Sequence, residues 1–381
     1  ELVAMIIAAC VLLEYGVAAS AVAVGWSGYF NELTGSLLGW QLPDSLSYSP
    51  IPFEDNTTGI INLPAVVLVF LCMLLLIRGV TESARANTIM VLIKLGVLLM
   101  FVIIAFTAFE ADRFDNFWAA GPAGVSAAAA TIFFSFIGLD AVSTAGEEVR
   151  NPQTALPRAI MGALLVVVTV YVLVAISSVG AQPLEDFSSP EQQSAGLSVI
   201  LGNITGNSTA GTILAAGAVI SIFSVTLVTL YGQTRILFAM GRDRMLPHKF
   251  SAVNPRTLTP NFNTIVVAVV VSLIAGFVPA DYLWDTVSIG TLGAFITVAI
   301  GVLVLRRTNP DLERPFRVPG YPVTPVLTIV LCVYVLSGLQ LFTWVVFLTW
   351  LAVVIAFYLL WGRRHSRLNT GQAEADPVEV A

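Results

Sequence analysis

Ile89-Met-Val-Leu-Ile-Lys94-Leu-Gly-Val-Leu-Leu-Met-Phe-Val-Ile-Ile104 is an apolar run of 16 residues carrying a single charge. With its flanks it makes a segment at 87–109, long enough as a helix to cross the ~30 Å hydrocarbon core of a bilayer. A lysine at the centre of such a helix costs roughly 2.5–3.5 kcal/mol on insertion scales. A chain that keeps one there faces it into protein or water, or lets its long stem carry the ammonium to the surface. Asn87 lies seven residues earlier on the same face, which sets Lys94 two turns in, roughly 10 Å along the axis. That depth weighs against snorkelling and for a functional role.

The rest of the chain has the same character. Of its 381 residues 57% are hydrophobic and 11% charged, and mean hydropathy is +0.86. Soluble domains carry about 25% charged residues. Ten apolar segments are expected to be membrane-spanning helices: 3–28, 60–78, 87–109, 123–143, 157–180, 209–239, 262–279, 284–305, 324–342 and 344–361. The predicted fold class is therefore all-α and integral to the membrane. Residues 1–362 form the bundle, and 363–381 form a polar, disordered cytoplasmic tail.

The basic residues orient it. Arg78 and Arg85, Arg150 and Arg158, Arg235 to Arg256, Arg306 to Arg317 and the arginines of the tail fall on alternate connections, and together they make 16 of the 18 Lys and Arg residues. Arg113 stands on the opposite face, and Lys94 lies within a span. The positive-inside rule puts residue 1 and the C-terminus in the cytoplasm of a multi-pass cell-membrane protein. The outer connections are acidic instead: Glu54 and Asp55, Glu110 to Asp115, and Glu185 to Glu191.

A net charge of −6 argues against nucleic acid as a partner. Cys10, Cys72 and Cys332 each sit in an apolar block and read as packing residues, with no metal-ligand spacing. No cofactor or metal is expected. Asn56, Asn203 and Asn207 open Asn-x-Ser/Thr triplets in outer loops, which polar loops also generate by chance. With no Gly-x-Ser-x-Gly element, metal cluster or nucleotide loop, the chain does not read as an enzyme.

Two further charges lie well inside spans. Glu14 shares a helical face with Ala18, Ala21 and Gly25, a small-residue face suited to close helix packing. It reads either as a carboxyl bonded to a neighbouring helix or as a group near a substrate. The other is Asp140, in Thr131-Ile-Phe-Phe-Ser-Phe-Ile-Gly-Leu-Asp140-Ala-Val-Ser-Thr-Ala-Gly146. This segment starts as a helix and then gathers glycines and polar residues. Either the span ends early at Gly138, or the helix unwinds there and exposes backbone groups that bind an ammonium and a carboxylate.

Four stretches together resemble the amino acid–polyamine–organocation superfamily, in particular its cationic amino acid transporters and their bacterial proton-coupled relatives. They are Phe134-Ser-Phe-Ile-Gly-Leu-Asp-Ala-Val-Ser-Thr-Ala-Gly-Glu-Glu-Val-Arg-Asn-Pro-Gln153, Tyr231-Gly-Gln-Thr-Arg-Ile-Leu-Phe-Ala-Met-Gly-Arg-Asp243, Arg314-Pro-Phe-Arg-Val-Pro319 and Asn87-Thr-Ile-Met-Val-Leu-Ile-Lys94. The resemblance implies a twelve-helix scaffold of two inverted five-helix repeats plus two peripheral helices. On that alignment the chain begins at the family's third span. The first two helices, with the unwound Gly-Ser-Gly segment that holds the substrate carboxylate, are then absent, and the sequence is expected to be part of a longer one.

The resemblance also implies roles. Phe134 matches the aromatic cap over the substrate, and Ile137 and Gly138 match the unwound turn facing its amino group. Asp140 matches an acidic position tied to proton sensing. Glu14 matches a glutamate near the side-chain pocket. Lys94 matches a lysine standing where sodium-coupled relatives hold sodium. Burial disfavours the charged form of an amine, so a shielded lysine takes up and releases protons near neutrality. Ser221, Ser224, Thr226 and Thr229 are its candidate neighbours, or are simply bonded back along their own helix. The expected function is proton-coupled amino acid uptake by alternating access. An amino acid or polyamine antiporter on the same scaffold is the alternative, with a nutrient sensor or channel behind it. Substrate identity and oligomeric state are not readable from these residues.

Overall fold

The computed structural model describes residues 2–51, 58–79, 84–115, 117–118, 120–136, 138, 151–257, 259–312, 314 and 316–365. All regular structure among them is helical. In chain order the helices are α1 (Leu2–Leu38), α2 (Leu63–Ile77), α3 (Ala84–Ala105), α4 (Gly121–Ile132), α5 (Pro152–Ala181), α6 (Pro190–Thr205), α7 (Ser208–Arg242), α8 (Asn261–Phe277), α9 (Ala280–Thr308), α10 (Val323–Leu336) and α11 (Leu341–Phe357), besides short turns. Helices α1, α3, α5, α7, α9 and α11 are long and apolar enough to cross a membrane, and α2, α4, α6, α8 and α10 are shorter apolar helices.

Each expected span contains one of these helices, but α1 is longer than expected and α6 lies in no expected span. Helix α1 runs on past residue 28 to Leu38, because no proline interrupts it before Gly39, whose φ of 65° turns the chain. Helix α6 lies in a stretch read as a polar outer loop, and it is kinked at Ala195, where φ is −144° and ψ 45°. Its ends explain it. Ser189 accepts from Gln192 N as N-cap, Pro190 fills the first position, and Gly206 at φ 62° closes the C-terminus. Asn207 then caps α7 by accepting from Thr209 N at 3.0 Å and Thr209 Oγ1 at 2.9 Å. One of the three Asn-x-Ser/Thr triplets thus has a capping role. Arg363–His365 continue the last helix, with His365 stacked on Trp361 at 4.1 Å. Residues 366–381 of the expected tail lie outside the described residues.

Helix α1 is the axis of the bundle, packed chiefly against α7 and α9 and also against α2, α8 and α11. Its buried positions are mostly small: Ala9, Ala18, Ala19, Ser20, Ala21 and Ala23. Between lipid-exposed helices no hydrophobic force drives association, so close backbone approach and interhelical hydrogen bonds carry it. Ser20 Oγ donates to Val271 O of α8, Trp26 Nε1 to Val219 O of α7, and Trp350 Nε1 of α11 to Ala9 O. Asn62 joins three elements. Its carboxamide oxygen accepts from Ala65 N to start α2, its Nδ2 donates to Ser27 Oγ of α1, and its backbone N–H donates to Gly276 O of α8. Cys10 and Cys332 pack in one apolar cluster and Cys72 in another, as packing residues do.

Candidate functional site

The site forms where α4 ends against α1 and α9. Helix α4 stops at Ile132, tightens into a 3-10 turn over Phe133–Phe136, and leaves helical geometry altogether at Gly138, where φ is 97°. Only glycine adopts that conformation at little cost. The helix does not run unbroken through Gly138, as both readings of this segment require. Whether a second half-helix follows depends on residues 139–150, which lie outside the described residues.

The 3-10 turn sends its aromatic side chains to different neighbours. Phe134 meets Trp284 of α9 edge-on, with ring centroids 4.4 Å apart. It packs in a cluster with Leu13, Val17, Ala18 and Ala21 of α1 and Leu283 and Val287 of α9. Phe133 turns to Phe295 of α9 at 6.1 Å, and Phe136 to Tyr171 of α5 at 5.6 Å. The Tyr171 hydroxyl donates to Ser135 O at 2.7 Å, satisfying a carbonyl released by the break. One turn before the break, Thr131 Oγ1 donates to Asp285 Oδ1 at 2.9 Å. Asp285 is 7% exposed.

Glu14 is 1% exposed and sits on the α1 face that meets α9. Opposite it is Gly290, where a Cβ would lie 3.3 Å from Cys10 O and 3.6 Å from Glu14 Cβ. The absence of a side chain at 290 lets the two helices close around the carboxyl. Ala18 and Ala21 are buried with Glu14, and Gly25 is half-buried. Glu14 and Phe134 are therefore on the same side of α1, linked through Leu13 and Val17.

Lys94 belongs to a separate locality. It is half-buried on α3, whose neighbours are α7, α5 and α6. One turn further along, Val97 packs into Gly217 of α7, where a Cβ would lie 2.7 Å from Val97 Cγ2. Four residues beyond Gly217 is Ser221, which is buried and whose Oγ makes no hydrogen bond within the described residues. Among the other hydroxyls on this helix, Thr226 and Thr229 donate to the carbonyls of Ile222 and Val225 at 2.9 and 2.8 Å. Those two are bonded along their own helix; Ser221 is not.

Phe134, Gly138 and Glu14 are thus brought into one region, Lys94 lies apart on α3, and Ile137 and Asp140 fall outside the described residues. Sequence reasoning did not single out Asp285, Trp284 or Tyr171. Asp285 is the second residue of its expected span, where an acid passes for a helix start. What would have marked it is its place beside a tryptophan, inside the apolar stretch.

Residues 1–362 match the family model described as amino acid permease. Among curated relatives, the branched-chain amino acid permease BcaP of Bacillus subtilis (strain 168) is 42% identical over 369 residues, covering 97% of this chain and 78% of that protein. The methylthioribose transporter of the same organism is 38% identical over 371 residues with the same coverage. The vacuolar cationic amino acid transporter 2 of Arabidopsis thaliana is 37% identical over 332 residues, or 83% of this chain and 49% of that protein.

Proposed function

Because this chain belongs to the amino acid permease family, we propose that it is a proton-coupled amino acid carrier of the cell membrane that works by alternating access. Ten of its helices span the bilayer, α6 lies on the outer face, and both described ends are cytoplasmic. The observation that carries the reading is the break at Gly138, next to a Phe134 that bridges α1 and α9. A helix interrupted in the bundle leaves backbone groups to bind the charged ends of a zwitterion. Packing around Phe134 gives the side-chain end of the site an apolar wall.

That wall, from Leu13, Val17, Phe134 and Trp284, favours apolar over cationic side chains. The 42%-identical relative named for branched-chain amino acids supports the same choice. Glu14 then serves α1–α9 packing and the rim of the pocket rather than pairing with a cationic substrate. Ile137 and Asp140 complete the unwound segment in this reading.

Lys94 is the proton-coupling group. On helices that cross antiparallel, as α3 and α7 do in the ten-span topology, a step from Val97 to Lys94 matches a step from Gly217 to Ser221. The Ser221 hydroxyl, buried and without a hydrogen bond among the described residues, stands ready to receive the ammonium. Protonation braces α3 against α7, and loss of the proton frees them.

The test is uptake by the intact protein in liposomes. An inward pH gradient should drive net accumulation of leucine, isoleucine or valine into empty vesicles. An obligate exchanger would move label only into preloaded vesicles, a sensor would bind without flux, and a channel would give currents far above carrier turnover. Failure to move any amino acid in either mode overturns the reading.

A further inference from the structure

A polar concavity of about 820 Å³ lies where α5 begins and α9 ends. It is lined by Gln153 in the first turn of α5, Arg306 in the last turn of α9, and Asp311, Arg314 and Arg317 in the connection to α10. Among the described residues, three guanidiniums against one carboxylate line it.

The three arginines differ in what holds them. Arg314 is structural: it donates to the carbonyls of Leu305, Asn309, Pro310 and Leu312, which closes the C-terminus of α9 and fixes the loop. Arg306 is held over the ring of Tyr321, 4.4 Å from its centroid, and lines the cavity. Arg317 is exposed and makes no hydrogen bond or ion pair within the described residues. The fold has therefore assembled a loop on one arginine and left two others lining an open volume.

We propose that this cavity binds a phosphate-bearing anion through Arg306 and Arg317. A planar guanidinium matches a phosphate bidentately, and two of them compensate its charge. The volume falls within the roughly 300–1,000 Å³ of small-ligand sites. Val304 and Leu305, immediately before Arg306, are exposed, as are Leu164 and Leu165 on α5. On α9 the apolar side chains of Val304 and Leu305 thus adjoin the basic Arg306, the arrangement a phospholipid meets with its chains on the helix and its headgroup in the cavity. A soluble phosphate would use the same arginines without that surface.

The experiment compares the intact protein with Arg317→Gln and with Arg306→Gln/Arg317→Gln in detergent. Binding of phosphatidylglycerol, phosphatidylcholine and inorganic phosphate is followed by native mass spectrometry and thermal shift. Arg314 is left alone because it holds the loop. Wild type should bind phosphatidylglycerol in preference to phosphatidylcholine, and the double variant should lose about tenfold in affinity, the scale of a hydrogen bond to a charged group. Competition by inorganic phosphate identifies a soluble occupant, and its failure to compete identifies the lipid. If the double variant misfolds, the exposed Arg317→Gln decides alone. Equal binding of the two lipids with no phosphate binding overturns the site, as does wild-type affinity in a folded variant.

Discussion

Thr131 Oγ1 and Asp285 Oδ1 meet at 2.9 Å and tie the last helical turn of α4 to the first turns of α9. The bond joins two side chains 154 positions apart in the chain. It lies immediately before the 3-10 segment that precedes Gly138. It therefore holds the helical part of α4 on α9 while the backbone beyond departs from it.

Thr131→Val should lower stability by about 0.6–2 kcal/mol, the range for interhelical hydrogen bonds in membranes. Asp285→Asn, whose amide oxygen still accepts, should lose less. Thermal unfolding in detergent checks both, and a Thr131→Val variant as stable as wild type would remove the bond from this account.

At Gly138 an alanine must take up a φ of 97° or force the segment to rearrange. The strain is about 1–3 kcal/mol. Gly138→Ala should still reach the membrane but transport several-fold more slowly. Wild-type uptake rates would show that the break does not shape the site.

Lys94→Met removes the titratable amine and keeps most of its apolar stem. Concentrative uptake driven by a pH gradient should vanish, while counterflow between preloaded vesicles persists. A Lys94→Met variant that still accumulates substrate uphill would take Lys94 out of the coupling mechanism.

Glu14→Gln preserves the shape against Gly290 and removes the charge. If Glu14 borders the pocket, the substrate KM should rise with thermal stability unchanged. A fall in stability with KM unaltered would assign the residue to helix packing alone.

Asn62→Ala deletes the cap on α2 together with the bond to Ser27. The expected loss is about 1–2 kcal/mol, at the level of a lost N-cap. Ser27→Ala, which removes the bond to α1 but keeps the cap, should cost less. Unfolding midpoints measured on the pair separate the two contributions.

The run around Lys94 and nine others like it fixed the class of structure in advance, because hydrocarbon tolerates only segments that satisfy their own backbone. Glu14 could be assigned to an inward face because alanine and glycine follow it at helical spacing. Helix α6 could not be read, since its glutamate and glutamines resemble a loop and its boundaries depend on the Ser189 cap and on Gly206. Asp285 was hidden for a related reason: its partner Thr131 is remote in the chain, and no local pattern announces a bond between them.

Local composition thus determined that the chain is built of apolar helices, which segments are expected to enter the membrane and which way they are expected to thread, and where a helix was under pressure to stop. Tertiary structure decided that Phe134 bridges α1 and α9, that Ser221, unlike Thr226 and Thr229, has no bond among the described residues, and that Arg306 and Arg317 line one cavity. Partitioning into lipid is a property of each segment taken alone, whereas a contact between helices depends on rotations and offsets fixed by all their neighbours at once.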